Sequence, residues 1–460
     1  MSDLDEPGFS FIATRDAILR RFGGGLLGAV WMVAAGAAAT RVAAMFKDLV
    51  VANRFGTGDA LDAFLIAFAL AVFLAGSFRS AFYSAFVPRF LEAGATRGPD
   101  GASVFLQRAL VYPLGLLLAI AAVLALCAKP IVEVVAGAFP PDKRELTRQL
   151  IVALSPFVVL DGVAGIYSAA LNARGRFVPA AMVATFPPLM TLVVVASLSG
   201  TFGVYTLVGG AVVGAALEAL AAAVLVRREG IRVLPVLVRP GSEGLAVFKA
   251  FAILAGGGVL MSANTVVDQA MAATAGGGSV AALGFAAKIP AAVLGLAGLA
   301  LSTTMLPHYA GLVAGRRWDE MAAALRRHAL RVAGAGAGAA LMLALLSRPL
   351  VRLLFEHGSF GPADTARVAT IQSLYALQIP GFLVGIVAAR FLNALGRDRW
   401  IFVVSVLNFV LNFAGDWVLL RWMGVPGIAL STSLFYCVAS TILIVLCHRA
   451  IREKAALQTP

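Results

Sequence analysis

Arg41, Lys47, Asp48 and Asp62 all fall within one oily stretch, TRVAAMFKDLVVANRFGTGDALDAF, at residues 40–64. Arg41 and Asp48 are seven apart, which on a helix places them on one stripe two turns from each other, with Lys47 on its flank. A charge near the centre of a bilayer costs at least about 2.5–3.5 kcal/mol, so such a stripe must face protein or water. Snorkelling from span ends is the alternative for Lys47 and Asp48 if the helix stops early. Arg79 in LAGSFRSAFYS, Lys288 in GFAAKIPAAV and Arg390 in IVAARFLNA extend the theme, with Arg390 close enough to a span end to snorkel. Arg41, Lys47, Arg79 and Lys288 would together make a cationic central cavity. The chemistry of such a cavity is the capture of an anionic headgroup such as a diphosphate.

A second constellation offers hard oxygen instead of positive charge. Asn412 and Asp416 stand at i and i+4 in SVLNFVLNFAGDWVLL, Asp268 interrupts SANTVVDQAMAA, and Thr432 adds a hydroxyl. Two membrane-buried carboxylates, an amide and a hydroxyl could coordinate a small cation or carry protons. Asp416 could equally be hydrated near a membrane surface.

The elements that must position these groups are membrane spans. Of the 460 residues, 60% are hydrophobic and only 13% charged, which describes an all-α polytopic membrane protein. A hydrocarbon core of about 30 Å needs about 20 apolar residues per helix. Twelve such runs occur, at 24–53, 60–87, 106–128, 149–172, 177–199, 202–226, 246–274, 279–313, 329–347, 366–395, 400–420 and 425–447. With the N-terminus inside, the termini and even-numbered connections hold more than twice the Lys and Arg of the odd-numbered ones, which predicts both termini cytoplasmic. The first twenty-odd residues lack a basic region leading to a cleavage site, so the first span is expected to be an uncleaved anchor.

The chain also repeats itself. LNARGR at 171–176 returns as LNALGR at 392–397, and FVPRFLEAG has a looser echo in MLPHYAGLV, both at an offset of about 220 residues. Two six-helix pseudo-symmetric lobes follow: 24–228 and 229–448, flanked by an N-terminal segment 1–23 and a C-terminal tail 449–460. This is the parallel-repeat architecture of transporters that bind substrate between lobes.

Other chemistries are absent from the sequence. The net charge of +13 reflects cytoplasmic loops facing anionic lipid, with no nucleic acid as partner. No GxxxxGK[ST] loop occurs, and the glycines of GAGAGAA at 334–340 make a helix-packing GxxxG. His308, His328, His357 and His448 lack HExxH spacing, and Cys127, Cys437 and Cys447 form no ligand pair. The connections on the outer side are too short for a catalytic domain, so a transporter is expected and an enzyme is not.

The opening segment, followed by SAFVPRFLEAG, resembles the first two helices of the MurJ (MviN) family of lipid II flippases, within the multidrug/oligosaccharidyl-lipid/polysaccharide (MOP) exporter superfamily. LSPFVVLDGVAGIYSAALNARGRF resembles the family's fourth helix, and LLFEHGSFGPADT the segment entering its tenth. The resemblance implies the MOP transporter fold and alternating-access flipping of an undecaprenyl-diphosphate-linked saccharide across the bacterial inner membrane. Thr40 and Arg41 match the family's Ser-Arg pair, Lys47 and Asp48 its Arg-Asp pair, and Asp62 its Asp at the start of helix two. Lys288 falls where helix eight carries an Arg. Arg79 is the only charge where helix two commonly carries an Arg-Arg pair and an acid. Asp268, Asn412, Asp416 and Thr432 resemble the sodium site of some members, which implies Na+ as a coupling ion and no other cofactor. Many members have two further C-terminal helices; twelve runs are found here.

The substrate expected first is lipid II, the peptidoglycan precursor. An exopolysaccharide or O-antigen repeat unit on the same carrier is the alternative, and a cation-coupled multidrug exporter is the transport rival. Membrane lipids, and cell-wall or polysaccharide synthesis enzymes, are the expected partners.

Overall fold

The computed structural model describes residues 25–234 and 263–456. Residues 1–24, the first part of the seventh run (246–262) and the tail beyond 456 lie outside the described residues, so the expectations placed on them are not taken further. Every regular element among the described residues is helical. That is what lipid demands, because a helix satisfies its backbone hydrogen bonds within one segment.

The first lobe holds α1 (Gly25–Phe55), α2 (Asp59–Leu126), the short α3 (Ala128–Val135), α4 (Pro141–Ala173), α5 (Phe177–Val183), α6 (Phe186–Phe202) and α7 (Tyr205–Arg228). The second holds α8 (263–273), α9 (Ser279–Ala314), α10 (Trp318–Leu345), the short α11 (Ser347–Phe355), α12 (Pro362–Ala376), α13 (Gln378–Ala394), α14 (Asp398–Met423) and α15 (Val425–Ala456). Within the first lobe α4 packs on α2 and α7, and α6 on α7; within the second α15 packs on α13 and α14, and α13 on α9 and α10. Ten stretches among the described residues are long and apolar enough to span a bilayer.

Several boundaries differ from the hydropathy reading. The second and third runs are two helices that meet at a kink within α2, where Gly98 leaves helical geometry (φ 66°, ψ −164°), so most of the expected loop at 88–105 is helical. The fifth run breaks into α5 and α6 ahead of the Pro187-Pro188 pair, and the tenth into α12 and α13 ahead of Pro380, because proline cannot supply the N–H that a continuous helix needs. The fourth begins eight residues early, at Pro141, and that polar extension carries Lys143. Hydropathy marks where lipid is, and a helix can run past it.

The internal repeat is visible at atomic detail. At the end of α4 the Arg176 N–H bonds the Leu171 carbonyl (2.9 Å) and the Gly175 N–H that of Asn172 (2.9 Å); at the end of α13 the Arg397 N–H bonds Leu392 (2.9 Å) and the Gly396 N–H bonds Asn393 (3.0 Å). Both are left-handed glycine caps. The arginines also match: Arg176 Nε meets Glu229 at 2.7 Å and Arg397 Nη2 meets Glu453 at 2.6 Å. The short helices α3 and α11 are a further corresponding pair, one in each lobe.

Candidate functional site

A cavity of about 640 Å³ lies between the lobes. Its walls are mainly apolar, with Val51, Phe64, Phe68 and Phe73 from the first lobe and Phe285 and Ala291 from the second. Polar groups enter at a few points: Thr191 from α6, Thr265 and Gln269 from α8, and a charged cluster of Lys47, Asp48 and Lys288. Asp48 is buried and holds both ammonium groups, Lys47 Nζ at 2.9 Å on one carboxylate oxygen and Lys288 Nζ at 3.0 Å on the other. The second of these is an ion pair between lobes. Spacing on α1 brings Lys47 and Asp48 to the wall, and the third turn of α9 brings Lys288 to meet them.

Arg41 sits two turns back along α1. Its guanidinium is exposed and reaches the α9 backbone at Gly295, where a Cβ would stand 2.5 Å from Nη1. Gly295 lies seven residues beyond Lys288, on the same stripe of α9. Arg41 thus extends the cationic wall by two turns, and no acid among the described residues pairs with it. The site combines a Lys-Asp-Lys group of net charge +1 with a guanidinium that has no acidic partner among the described residues.

Three expected members stand elsewhere. Thr40 ties α1 to α5, its hydroxyl 2.8 Å from that of Thr185 and 3.3 Å from the Ala181 carbonyl. Arg79 faces into the first lobe, where Nη1 meets Asp161 at 2.7 Å and Nη2 meets Glu218 at 3.2 Å. Neither acid was singled out from the sequence, because Asp161 in VVLDGVAG and Glu218 in GAALEALAA lack a charged neighbour to suggest a pair. Asp62 is fully buried beside the cavity and closes it at one end.

That closure is a latch between lobes. The Asp62 carboxylate accepts the Gly278 and Ala281 N–H groups, each at 2.7 Å, and so caps the N-terminus of α9 from the opposite lobe. Lys143 bridges Asp62 (2.8 Å) and Asp59 (2.6 Å). Beside it the Ser359 N–H bonds the Asn53 carbonyl at 2.8 Å, and the Thr57 hydroxyl bonds Asp364. The chains approach too closely for side chains: a Cβ on Gly56 would lie 2.3 Å from the Ser359 carbonyl oxygen, and one on Gly278 2.3 Å from that of Thr57. Both glycines also have positive φ.

The oxygen-rich residues meet within the second lobe. The Asn412 amide nitrogen donates to Asp268 (3.2 Å) and to Asp416 (3.0 Å), and Thr432 lines the same small cavity of about 240 Å³ with Asn408, Tyr375 and Gln378. Asp416 is completely buried and its Oδ1 has no hydrogen-bond partner; Asn408 Oδ1 and Gln269 Oε1 are likewise unpartnered. Buried orphan oxygens are rare in folded proteins, and a converging set of them fits a hard cation. The two carboxylates of Asp268 and Asp416 are joined here by the amides of Asn408, Asn412 and Gln269 and the hydroxyl of Thr432.

The sequence profile described as "Lipid II flippase MurJ" matches residues 51–458. The chain belongs to the MurJ lipid II flippase family. Relatives include a probable lipid II flippase MurJ of Rhizobium meliloti (strain 1021), 30% identical over 360 residues, 75% of this chain and 66% of that protein. One from Synechocystis is 23% identical over 90% of this chain and 79% of its own length. The chain thus spans just under two thirds of the Rhizobium protein. Among solved structures, a lipid II flippase MurJ in an inward closed conformation matches with a TM-score of 0.78 at 20% identity, over 92% of this chain and 90% of that one. An inward-facing multidrug resistance MATE transporter of the MOP superfamily matches with 0.74 at 12% identity, over 91% and 96%. MurJ and MATE transporters thus share the fold of this family member.

Proposed function

We propose that this chain flips a polyprenyl-diphosphate-linked saccharide, lipid II first, across the bacterial inner membrane by alternating access. The observation that carries the reading is the pair of cations, Lys47 and Lys288, in a cavity between two pseudo-symmetric lobes, with Arg41 two turns further along α1. Apolar walls with a few fixed cations suit an amphiphile whose headgroup is anionic, and they disfavour the cationic drugs of a multidrug exporter. With both termini cytoplasmic, as the Lys and Arg distribution supports, the latch faces outward and the cavity receives the headgroup from the cytoplasmic side. The headgroup then displaces Asp48 as partner of the lysines. That exchange loosens the Lys288–Asp48 link between lobes, and the latch must part for release on the other side. The prenyl tail stays in the bilayer throughout.

Asp268, Asn412, Asp416 and Thr432 would hold Na+ in the second lobe, where the ion would neutralise two neighbouring carboxylates. Binding there is a means of coupling flipping to the sodium gradient.

Mass spectrometry of lipid co-purified with the protein tests the substrate. Lipid II in the sample supports the first choice, and a polyprenyl-diphosphate repeat unit of another sugar moves the assignment to polysaccharide export. Lys288→Ala should weaken diphosphate-lipid binding about 10- to 100-fold, the equivalent of one charge-assisted hydrogen bond. Undiminished binding would remove the cationic wall from the mechanism.

A further inference from the structure

The Arg79 cluster is outside the cavity and outside the oxygen-rich site, and its charges do not balance. Three helices contribute to it: α2 gives Arg79, α4 gives Asp161 and α7 gives Glu218. Both carboxylates bond the same guanidinium, on different nitrogens. No other charged side chain among the described residues interacts with any of the three. Fully ionised, the cluster would carry one uncompensated negative charge between packed membrane helices.

The seat is built for this arrangement. Gly165, one turn beyond Asp161 on α4, leaves the room in which the arginine lies: a Cβ there would stand 2.5 Å from Arg79 Cγ and 3.0 Å from Nε. The two acids are not equivalent. Asp161 makes the shorter bond, 2.7 Å, adds a backbone carbonyl contact to the same nitrogen at 3.4 Å, and keeps 14% of its side chain exposed. Glu218 makes one longer bond, 3.2 Å, and its side chain is only 2% exposed. One guanidinium cannot neutralise two carboxylates, and an excess negative charge in so buried a position is unfavourable, so the more buried and more loosely held acid is the one to take up a proton.

We propose that Arg79, Asp161 and Glu218 form a proton-binding site in the first lobe, with Glu218 carrying the proton while the latch is closed. The site lies along the wall of the transport pathway. Gly76 and Ala211 line the central cavity; Arg79 is three residues beyond the first and Glu218 seven beyond the second, on the same helical stripes. Arg79 keeps 29% of its side chain exposed, which is the opening by which water from the cavity would reach the cluster. A rearrangement that wets Glu218 would release the proton to that water, which makes the first lobe responsive to pH independently of any cation held in the second.

The test counts protons by infrared spectroscopy of the full-length protein in lipid at neutral pH, reading the carbonyl stretch of protonated carboxylic acids. Wild type should show one such band from the cluster. Glu218→Gln should lose it, because Arg79 and Asp161 then balance. Asp161→Asn should lose it too, because Arg79 and Glu218 then balance. Arg79→Gln should gain a second. A wild-type spectrum that neither Glu218→Gln nor Asp161→Asn alters would mean a purely ionic triad and would overturn the proposal. The count needs no substrate, so it stands or falls separately from flipping. As a second readout, raising the pH should lower the latch-closed population, followed by the rate of disulfide formation between Asp59→Cys and Gly277→Cys, and Glu218→Gln should flatten that dependence. An equal pH dependence in the variant would also reject the site.

Discussion

Asp48 organises the cavity through its two lysine partners. Replacing it by Asn leaves two ammonium groups facing each other without a counter-charge. We expect Asp48→Asn to cost about 3 kcal/mol, the low end for one side of a buried pair because Lys288 is 40% exposed, read as lost thermal stability in detergent. Stability unchanged from wild type would show that the lysines are held by something else. Arg41→Ala is the complementary case: the guanidinium has no acidic partner among the described residues, so the protein should keep its stability and lose headgroup binding. Such groups were legible in the sequence because a charge in an apolar run demands an explanation. The partner of each charge was not, since Lys143, Asp161 and Glu218 meet Asp62 and Arg79 from helices 80 to 140 residues away.

At the scale of elements, the latch joins the turn between α1 and α2 to the start of α9 and the turn before α12. A Cβ on Gly277 would stand 2.8 Å from Asp59 Oδ1, so cysteines at 59 and 277 are placed to bridge. The disulfide should stop flipping in reconstituted vesicles, and reductant should restore it; transport undisturbed by complete crosslinking would rule out parting at this face. Asp62→Asn removes the buried one of Lys143's two counter-charges and weakens the cap on α9, so it should shift the lobes away from the latched state, measured as slower formation of the same crosslink. Hydropathy located most of these helices but missed α3 and α11, whose apolar residues occupy one face only, and it placed a long loop where two helices run on to meet at the Gly98 kink. A span needs a long apolar run. A helix lying along a membrane surface needs only a stripe.

At the scale of the molecule, the proposed headgroup site lies between two like lobes and the proposed cation site within one of them. If the second lobe binds Na+, sodium should raise the thermal stability of wild type, by RT ln(1 + [Na+]/Kd), and leave Asp416→Asn unaffected. A sodium response that survives this substitution would place the ion elsewhere. The repeat was legible because its caps need particular residues, the glycines at 175 and 396 and the arginines that follow them. What the lobes have in common is therefore written in the sequence, while their division of labour depends on side chains that the repeat does not preserve.

The latch also ties turnover to the activity of water. Parting it exposes the N–H groups of Gly278 and Ala281, the Asp62 carboxylate and the Lys143 ammonium, all now shielded from solvent, and each must be hydrated before the outward state can form. Solutes excluded from protein surfaces oppose such exposure. Sucrose or trimethylamine oxide should therefore slow flipping in proportion to osmolality, at concentrations too low to change viscosity appreciably, and the Asp62→Asn protein should respond less. If the chain flips a wall precursor as proposed, a cell in concentrated surroundings would meet that drag at the step where the precursor leaves the membrane.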